Sequence, residues 1–117
     1  MAITKAEIER RLRALVGNRL YEAARLNDVD LLRAELGKGR SLNQQRPGNG
    51  FTPLHTAALN GSVEFLRVAL QAKHADPWIQ DSKGRLALDH AEVRRDREAM
   101  RLLFDAMYPN GRVRFAE

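Results

Sequence analysis

The sequence has no cysteine and only seven aromatic residues among 117, and these shortages exclude several kinds of protein. Without cysteine there is no disulfide framework, thiolate zinc site, cysteine nucleophile or iron–sulfur cluster. No apolar run approaches the ~18 residues of a membrane span. The N-terminal residues mix acids with bases and lack the apolar core of a secretory signal. We therefore expect a soluble cytoplasmic protein with one domain.

Basic residues outnumber acidic ones by 20 to 15, which gives a formal net charge of +5. Such an excess raises nucleic acid as a possible partner. The bases alternate with acids, however, as in residues 94–98, and this interleaving is typical of solvated helix faces with local ion pairs. A nucleic-acid surface would show a basic stripe with stacking aromatics. A basic protein associated with nucleic acid is thus the less favoured alternative.

Comparison of the sequence with itself reveals an internal repeat at an offset of 34 residues, which aligns Ala23, Ala57 and Ala91. Further positions agree in type across the three copies and have helical spacing, among them the capping-type residues Asp28, Ser62 and Asp96. In the central copy Ser62 is a predicted N-cap, and an apolar face that neighbouring repeats must cover is formed by Leu54, Val63, Leu66 and Leu70. Each copy combines two short helical patterns with a long turn. A tetratricopeptide unit would instead have two longer helices and a short connector.

The central copy contains the most specific motif. Residues 50–61 read Gly-Phe-Thr-Pro-Leu-His-Thr-Ala-Ala-Leu-Asn-Gly and resemble the ankyrin signature G-x-T-P-L-H-x-A-A-x-x-G at every fixed position. The flanking copies are degenerate, since Tyr21 and Asp89 stand where the central copy has His55. The resemblance covers roughly residues 19–108. It implies an all-α protein, a short ankyrin-type helical solenoid of about three repeats with an N-terminal capping helix.

Local signals in the central copy suit that fold. Thr52 is a predicted N-cap, Pro53 fits the first helical turn, and Gly61 permits a left-handed residue between two antiparallel helices. Near the N-terminus, Thr4 and Glu7 have the spacing of a capping box. We predict a single domain over residues 1–117, with the following segments: capping helix 4–17, repeat 1 at 19–48, repeat 2 at 49–82, repeat 3 at 83–108 and a tail at 109–117.

The turns carry two single-residue irregularities. Gln71–His74 has four residues where the family normally has three ending in glycine. The stretch from Asn43 to Gly50 is also one residue longer than the stretch from Trp78 to Gly84 in the next copy. Insertions in surface turns cost little free energy. A neutral role is therefore favoured over a reshaped binding surface.

Catalytic chemistry has little support in the sequence. By the resemblance, His55 is a structural hydrogen-bonding residue. Asp89 and His90 are adjacent on a helix, so they face different directions and are not a ready-made dyad. There is no metal-binding histidine motif, phosphate-binding glycine loop or nucleophile elbow. We predict no catalytic residues, no metal and no cofactor, and hence no enzyme.

Two aromatic residues in turns leave alternatives open. Trp78 stands where the family usually carries a small polar residue, and Phe51 occupies a variable family position. Each is either an interface anchor, as aromatic residues often are, or a side chain that packs against the adjacent turn.

The resemblance implies a non-catalytic module that binds another protein through turn tips and the concave face of the first helices. The mapped surface is basic and apolar, which favours an acidic partner with an apolar anchor. We expect a monomer, and a self-associating structural module is an alternative. The predicted partner-binding residues are Arg25, Asn49, Phe51, Leu59, Asn60, Trp78, Gln80, Ser82, Lys83, Arg85, Val93 and Arg94.

Overall fold

A computed structural model describes residues 3–8 and 19–109 of the chain, and all of the regular elements in these ranges are helices. Within residues 19–109, six helices follow one another: α1 (Arg19–Leu26), α2 (Val29–Gly37), α3 (Pro53–Asn60), α4 (Val63–Ala69), α5 (Ala87–Arg94) and α6 (Arg97–Met107). None of the helices in the described ranges is long and apolar enough to cross a membrane.

The predicted capping helix is described only at its start. Residues 5–8 are helical, and the Thr4 Oγ1 atom accepts a hydrogen bond from the Glu7 N–H at 3.1 Å, as expected at a helix N-terminus. The remainder of that helix, residues 9–17, and the tail from residue 110 lie outside the described residues.

The six helices form three hairpins that stack side by side. Within each hairpin the first helix contacts the second: α1 with α2, α3 with α4, and α5 with α6. Between hairpins, α3 packs on both α1 and α5, while α4 packs on both α2 and α6. The first helices thus form one layer and the second helices another, which confirms the solenoid expected from the repeats.

The helix ends of the central repeat follow the predicted signals. Thr52 is the N-cap of α3, and its Oγ1 atom accepts a hydrogen bond from the backbone of His55 at 3.3 Å. Pro53 begins the helix, and Gly61 ends it in the left-handed region with φ of 68°. Glycine is suited to that position because it has no Cβ.

The second helices are capped in two different ways. Asp28 and Asp96 accept hydrogen bonds from the first turns of α2 and α6, as predicted for capping residues. Ser62 stands at the equivalent position of α4, but its side chain makes no capping hydrogen bond, so this predicted cap is wrong. Asn27 of the preceding repeat accepts from the Phe65 N–H at 2.8 Å instead. The cap of α4 therefore also ties two repeats together.

The core lies between the two layers and consists of small and aliphatic side chains. The alanines shared by the three first helices are fully buried, which lets these helices approach closely. Leu54 and Leu66 are also fully buried, as their apolar spacing predicts, while Val63 and Leu70 are half-buried at the edge. Phe65, which was not assigned to that face, is fully buried beside them.

Candidate functional site

Two turns project between the hairpins, and each is closed by backbone hydrogen bonds. Finger 1, residues 46–51, is closed by the Arg46 N–H donating to the Phe51 carbonyl at 2.9 Å. Finger 2, residues 81–85, is closed by the Asp81 N–H donating to the Arg85 carbonyl at 2.8 Å. Both turns are thus ordered supports for exposed side chains at their tips.

The two fingers touch at one backbone contact. The Ser82 N–H donates to the Asn49 carbonyl at 2.9 Å, beside Gly50. Gly50 has φ of +70°, and a Cβ built there would lie 2.7 Å from the Ser82 nitrogen. Only glycine therefore fits both the backbone conformation and the close approach.

Each junction between hairpins contains one equivalent long-range hydrogen bond. The Tyr21 hydroxyl donates to the Phe51 carbonyl at 2.7 Å, and the His55 Nε2 atom donates to the Arg85 carbonyl at 2.9 Å. The two donors are 34 residues apart, and so are the two acceptors. Tyr21 therefore performs in the first repeat the structural role that the resemblance implied for His55.

The hydrogen bonds of His55 define its protonation state. Its Nδ1 atom lies 3.1 Å from the Thr52 N–H, which can only donate, so Nδ1 accepts and Nε2 carries the proton. Burial lowers the pKa of His55, an effect that outweighs the hydrogen bond to the Arg85 carbonyl. The ring is therefore neutral at neutral pH and acts as a structural link.

Asp89 occupies the same repeat position in the last hairpin but turns back on its own helix. Its carboxylate accepts from the Leu86 N–H at 2.7 Å and caps α5. His90 instead donates from Nε2 to the Asp81 carboxylate at 3.0 Å. The prediction that Asp89 and His90 do not form a dyad is confirmed.

Asp81 is a buried carboxylate that organises finger 2, and sequence reasoning missed it. Its Oδ1 atom accepts from the Lys83 and Arg85 N–H groups at 2.9 Å, and Oδ2 accepts from the Arg85 Nε atom at 3.1 Å as well as from His90. Burial opposes ionisation, but these hydrogen bonds outweigh it and hold the pKa of Asp81 well below its usual range. An aspartate three residues before Gly84 in a turn was the available signal.

Phe51 packs against the base of the second finger. Its half-buried ring stacks on His55 at 5.5 Å between centroids and meets the His90 ring edge-on at 5.0 Å. These contacts favour the packing interpretation of Phe51 over a free anchor.

Trp78 lies beside the last helix, in the layer of second helices. Its indole is 46% exposed and meets the Tyr108 ring edge-on at 5.4 Å, with Phe104 at 4.9 Å on the other side of Tyr108. The partner of Trp78 is thus at the end of α6, which sequence spacing did not suggest.

The C-terminal ends of the first helices carry exposed apolar side chains. Val93 is 85% exposed, Leu59 is 46% exposed, and Leu26, which the sequence analysis omitted, is 53% exposed. Arg94 lies across the end of α3 and its guanidinium approaches the Leu59 carbonyl at 3.4 Å. Arg25 and Asn60 are exposed beside these residues in the sequence.

The remaining predicted residues lie on or next to the fingers. Lys83 is exposed, and Arg85 is exposed while its guanidinium also pairs with Asp81. Gln80 is exposed, and its carbonyl accepts from Gln45 at 2.9 Å. The structure also exposes the predicted tip residues Asn49 and Ser82.

Two arginines of the second helices pair with acids. Arg67 lies 3.5 Å from Glu64 on its own helix and 3.2 Å from Glu98 on the next repeat. Arg101 lies 4.0 Å from Asp105. These two arginines therefore form ion pairs on the surface of the layer, and the pair of Arg67 with Glu98 links two repeats.

No group of three histidine or acidic side chains suited to a metal ion occurs within residues 3–8 and 19–109. The hydrogen bonds of the histidines and of Asp81 instead hold backbone and side-chain groups of the fingers in place.

Comparison with known proteins agrees with the geometry. The family model for ankyrin repeats (three copies) matches residues 20–112. The chain is 40% identical over 52 residues to a vapyrin-like protein of Medicago truncatula, covering 44% of this chain and 11% of that protein. It is 30% identical over 94 residues to the ARF GTPase-activating protein GIT2 of Mus musculus, covering 80% of this chain and 13% of that protein.

The chain therefore spans only about a tenth of the length of either relative. Ankyrin repeats are generally protein–protein interaction modules and are typically non-catalytic. The match to the family model, together with the three stacked hairpins, establishes that this chain belongs to the ankyrin repeat family.

Proposed function

We propose that this protein binds an acidic partner protein through one surface, here called the binding face. The face combines the ends of the first helices with the finger tips. Phe51 and Trp78 are left out because the ring of Phe51 packs on His55 and His90, while Trp78 lies against Tyr108 in the layer of second helices. Its members are Arg25, Leu26, Leu59, Asn60, Val93, Arg94, Asn49, Gln80, Ser82, Lys83 and Arg85.

The single observation that carries this proposal is the exposed apolar side chain at the same end of each first helix. Leu26, Leu59 and Val93 belong to three helices that pack side by side. Isolated exposed leucines or valines are ordinary on protein surfaces. A set repeated along neighbouring helices supports a role as an apolar anchor site.

Charge supports an acidic partner. Arg25 and Arg94 are exposed next to apolar side chains in the sequence, and Lys83 is exposed on finger 2. Five of the seven aspartates accept hydrogen bonds from backbone N–H groups and serve as caps or turn supports, so their carboxylates are directed toward the fold: Asp28, Asp76, Asp81, Asp89 and Asp96. Complementary charge favours encounter with, and orientation of, a negatively charged partner.

A comparison of two apolar-to-acid variants tests the proposal. Val93→Asp places a carboxylate on the binding face, whereas Phe104→Asp places one at an exposed apolar position of the second-helix layer. Each variant is first shown to unfold at a temperature close to that of the original protein. The variants and the original protein are then used to capture partners from source cells for quantitative mass spectrometry.

We expect the original protein and Phe104→Asp to recover the same proteins and Val93→Asp to lose them. Lys83→Glu should weaken the same captures, and more strongly at low salt. Recovery of an unchanged set by Val93→Asp would refute the binding face.

A further inference from the structure

A cavity lies at the other side of the hairpins, between the turns that follow α2 and α4. Its volume is about 360 Å³, and most of its lining is apolar. Nine residues line it: Leu36, Gly39, Arg40, Ser41, Leu42, Ala72, Lys73, His74 and Ala75. None belongs to the binding face, so this cavity is a separate feature.

The single-residue insertion shapes one wall of the cavity. In the first repeat the turn after α2 uses Gly39, whose φ is +83°. In the second repeat His74 stands at the corresponding place. The segment from Leu70 to His74 is one residue longer than the segment from Leu36 to Gly39. No residue from Gln71 to His74 has a positive φ, so this longer turn forms without the left-handed residue that the first repeat uses.

Asn43 holds the two turns side by side at the edge of the cavity. Its Nδ2 atom donates to the His74 carbonyl at 2.6 Å, and its Oδ1 atom accepts from the Asp76 N–H at 2.9 Å. The spacing between the turns is thereby fixed by hydrogen bonds, while the small side chains of Ala72 and Ala75 leave the space between them open.

The charged side chains that line this cavity are basic. They are Arg40 and Lys73, and the nine lining residues include no acid. Glu35 lies behind Arg40, almost completely buried, with its Oε2 atom 3.4 Å from the Arg40 Nε atom. Glu35 thus offsets part of the Arg40 charge from within, and Lys73 is the exposed cation with the freest access to a ligand.

We propose that this cavity is a second peptide-binding site, which takes one apolar side chain of a partner and pairs Lys73 and Arg40 with acidic residues flanking it. The apolar floor, the single-sign rim and a volume suited to a large side chain support this occupant. The site rests on the protein-binding role proposed above but uses the opposite layer of the hairpins.

Peptide arrays provide the probe. The protein is applied to an array of the hexapeptide Asp-Glu-Leu-Phe-Glu-Asp and its single-position variants, with each acid changed to lysine and each apolar residue changed to alanine. We expect binding that requires one of the two apolar residues, the one that enters the cavity, together with the acids that flank the pair. Uniform binding across the array, or binding only to the lysine variants, would overturn the proposal.

Matched variants then locate the contact. Lys73→Glu should weaken binding of the best hexapeptide about tenfold, the effect of losing one charge-assisted contact. Lys38→Glu alters an exposed lysine of the neighbouring turn that does not line the cavity, so it should bind as the original does. Ala75→Phe, which fills the space without changing charge, should also abolish binding while the protein stays folded by circular dichroism.

The outcome separates this site from the binding face. Loss of hexapeptide binding in Lys73→Glu together with normal binding in Val93→Asp supports a second site. If Lys73→Glu and Ala75→Phe bind the peptide normally while Val93→Asp does not, the cavity proposal is wrong and the binding face stands. If the two cavity variants lose hexapeptide binding while Val93→Asp still captures its cellular partners, the binding face is wrong and the cavity proposal stands.

Discussion

The stack has two junctions, one between the first and second hairpins and one between the second and third. Different residues make the equivalent hydrogen bond between repeats at each junction. Tyr21 and His55 donate to equivalent carbonyls of the next repeat. On the outer side, the first junction is bridged by hydrogen bonds from Asn43, whereas the second is filled by the ring of Trp78 on Tyr108. The stack therefore requires a donor of suitable reach, and the histidine of the signature is one of several residues that supply it.

The two junctions also differ in their response to pH. Burial raises the pKa of Tyr21 to about 12, despite the opposing charge of Arg46, whereas burial lowers the pKa of His55. The folded state therefore favours the neutral form of both side chains. Base should weaken the first junction and acid should weaken the second.

The largest effect is expected at the second junction from Asp81→Ala. Removal of this buried carboxylate leaves His90 and the N–H groups of Lys83 and Arg85 without their acceptor, and we expect the free energy of unfolding to fall by about 3 kcal/mol. Urea unfolding measures the loss. Asp76→Ala, which removes a single exposed turn contact, is the control and should cost about 1 kcal/mol or less.

The finger contact at the first junction is tested by two glycines with similar backbone conformations. Gly50→Ala should lower the free energy of unfolding by roughly 2–3 kcal/mol, because the new Cβ would meet the Ser82 backbone. Gly84→Ala has open space around it, so only the positive φ is penalised, by about 1 kcal/mol. Equal losses in thermal or urea unfolding would show that the fingers are not in contact.

Removal of one hydroxyl tests the first junction directly. Tyr21→Phe should lower the free energy of unfolding by about 1 kcal/mol, since the Phe51 carbonyl loses one of its two donors and keeps only the Arg46 N–H. Hydrogen exchange should increase in finger 1 more than elsewhere. Tyr108→Phe is the matched control, because the ring contact with Trp78 survives that change. A loss in Tyr108→Phe as large as in Tyr21→Phe would contradict the proposed link.

Trp78→Asn converts the outer side of the second junction to the residue found at the first. The loss of the aromatic pair should cost about 1 kcal/mol in urea unfolding, a modest value because the indole is half exposed. Asn43→Ala at the first junction provides the comparison and should cost a similar amount through its two hydrogen bonds. If Trp78→Asn had no effect, the ring contact would contribute nothing to the stack.

The smallest expected effect is a loss of stability at acidic pH. Because the pKa of His55 is lowered in the folded state, the unfolded chain binds the proton more tightly, and the free energy of unfolding should decline as the pH falls below about 6.5. An NMR titration of the imidazole should give a pKa below 6.5 and a proton on Nε2. A proton on Nδ1 or a raised pKa would contradict the hydrogen-bond assignment.

The sequence predicts the repeat architecture well because the relevant signals are local. Thr52, Pro53 and Gly61 act within one helix, and their positions in the structure are as expected. Ser62 was misassigned because its role passed to Asn27, whose contact with Phe65 spans 38 residues and leaves no local signature. Asp81 had a local turn signal in Gly84, but its pairing with His90 could not be predicted because it depends on how finger 2 lies against α5.

Surface residues were the least predictable part. The apolar ends of the first helices follow from the repeat register, which placed Leu59 and Val93 at the same position. Leu26 stands where the later copies have Asn60 and Arg94, so the register gave no reason to expect an exposed leucine. The position of Trp78 on Tyr108 depends on packing between turns, which sequence spacing does not encode.

Site-specific photocrosslinking tests the binding face most directly. The photoreactive residue benzoylphenylalanine is introduced at Leu59, on the face, and at Arg101, an exposed position of α6 that lines neither the face nor the cavity. After illumination in source cells, we predict a covalent adduct with a partner protein from position 59 and none from position 101. Adducts from position 101 alone, or identical adducts from both positions, would contradict binding through the ends of the first helices.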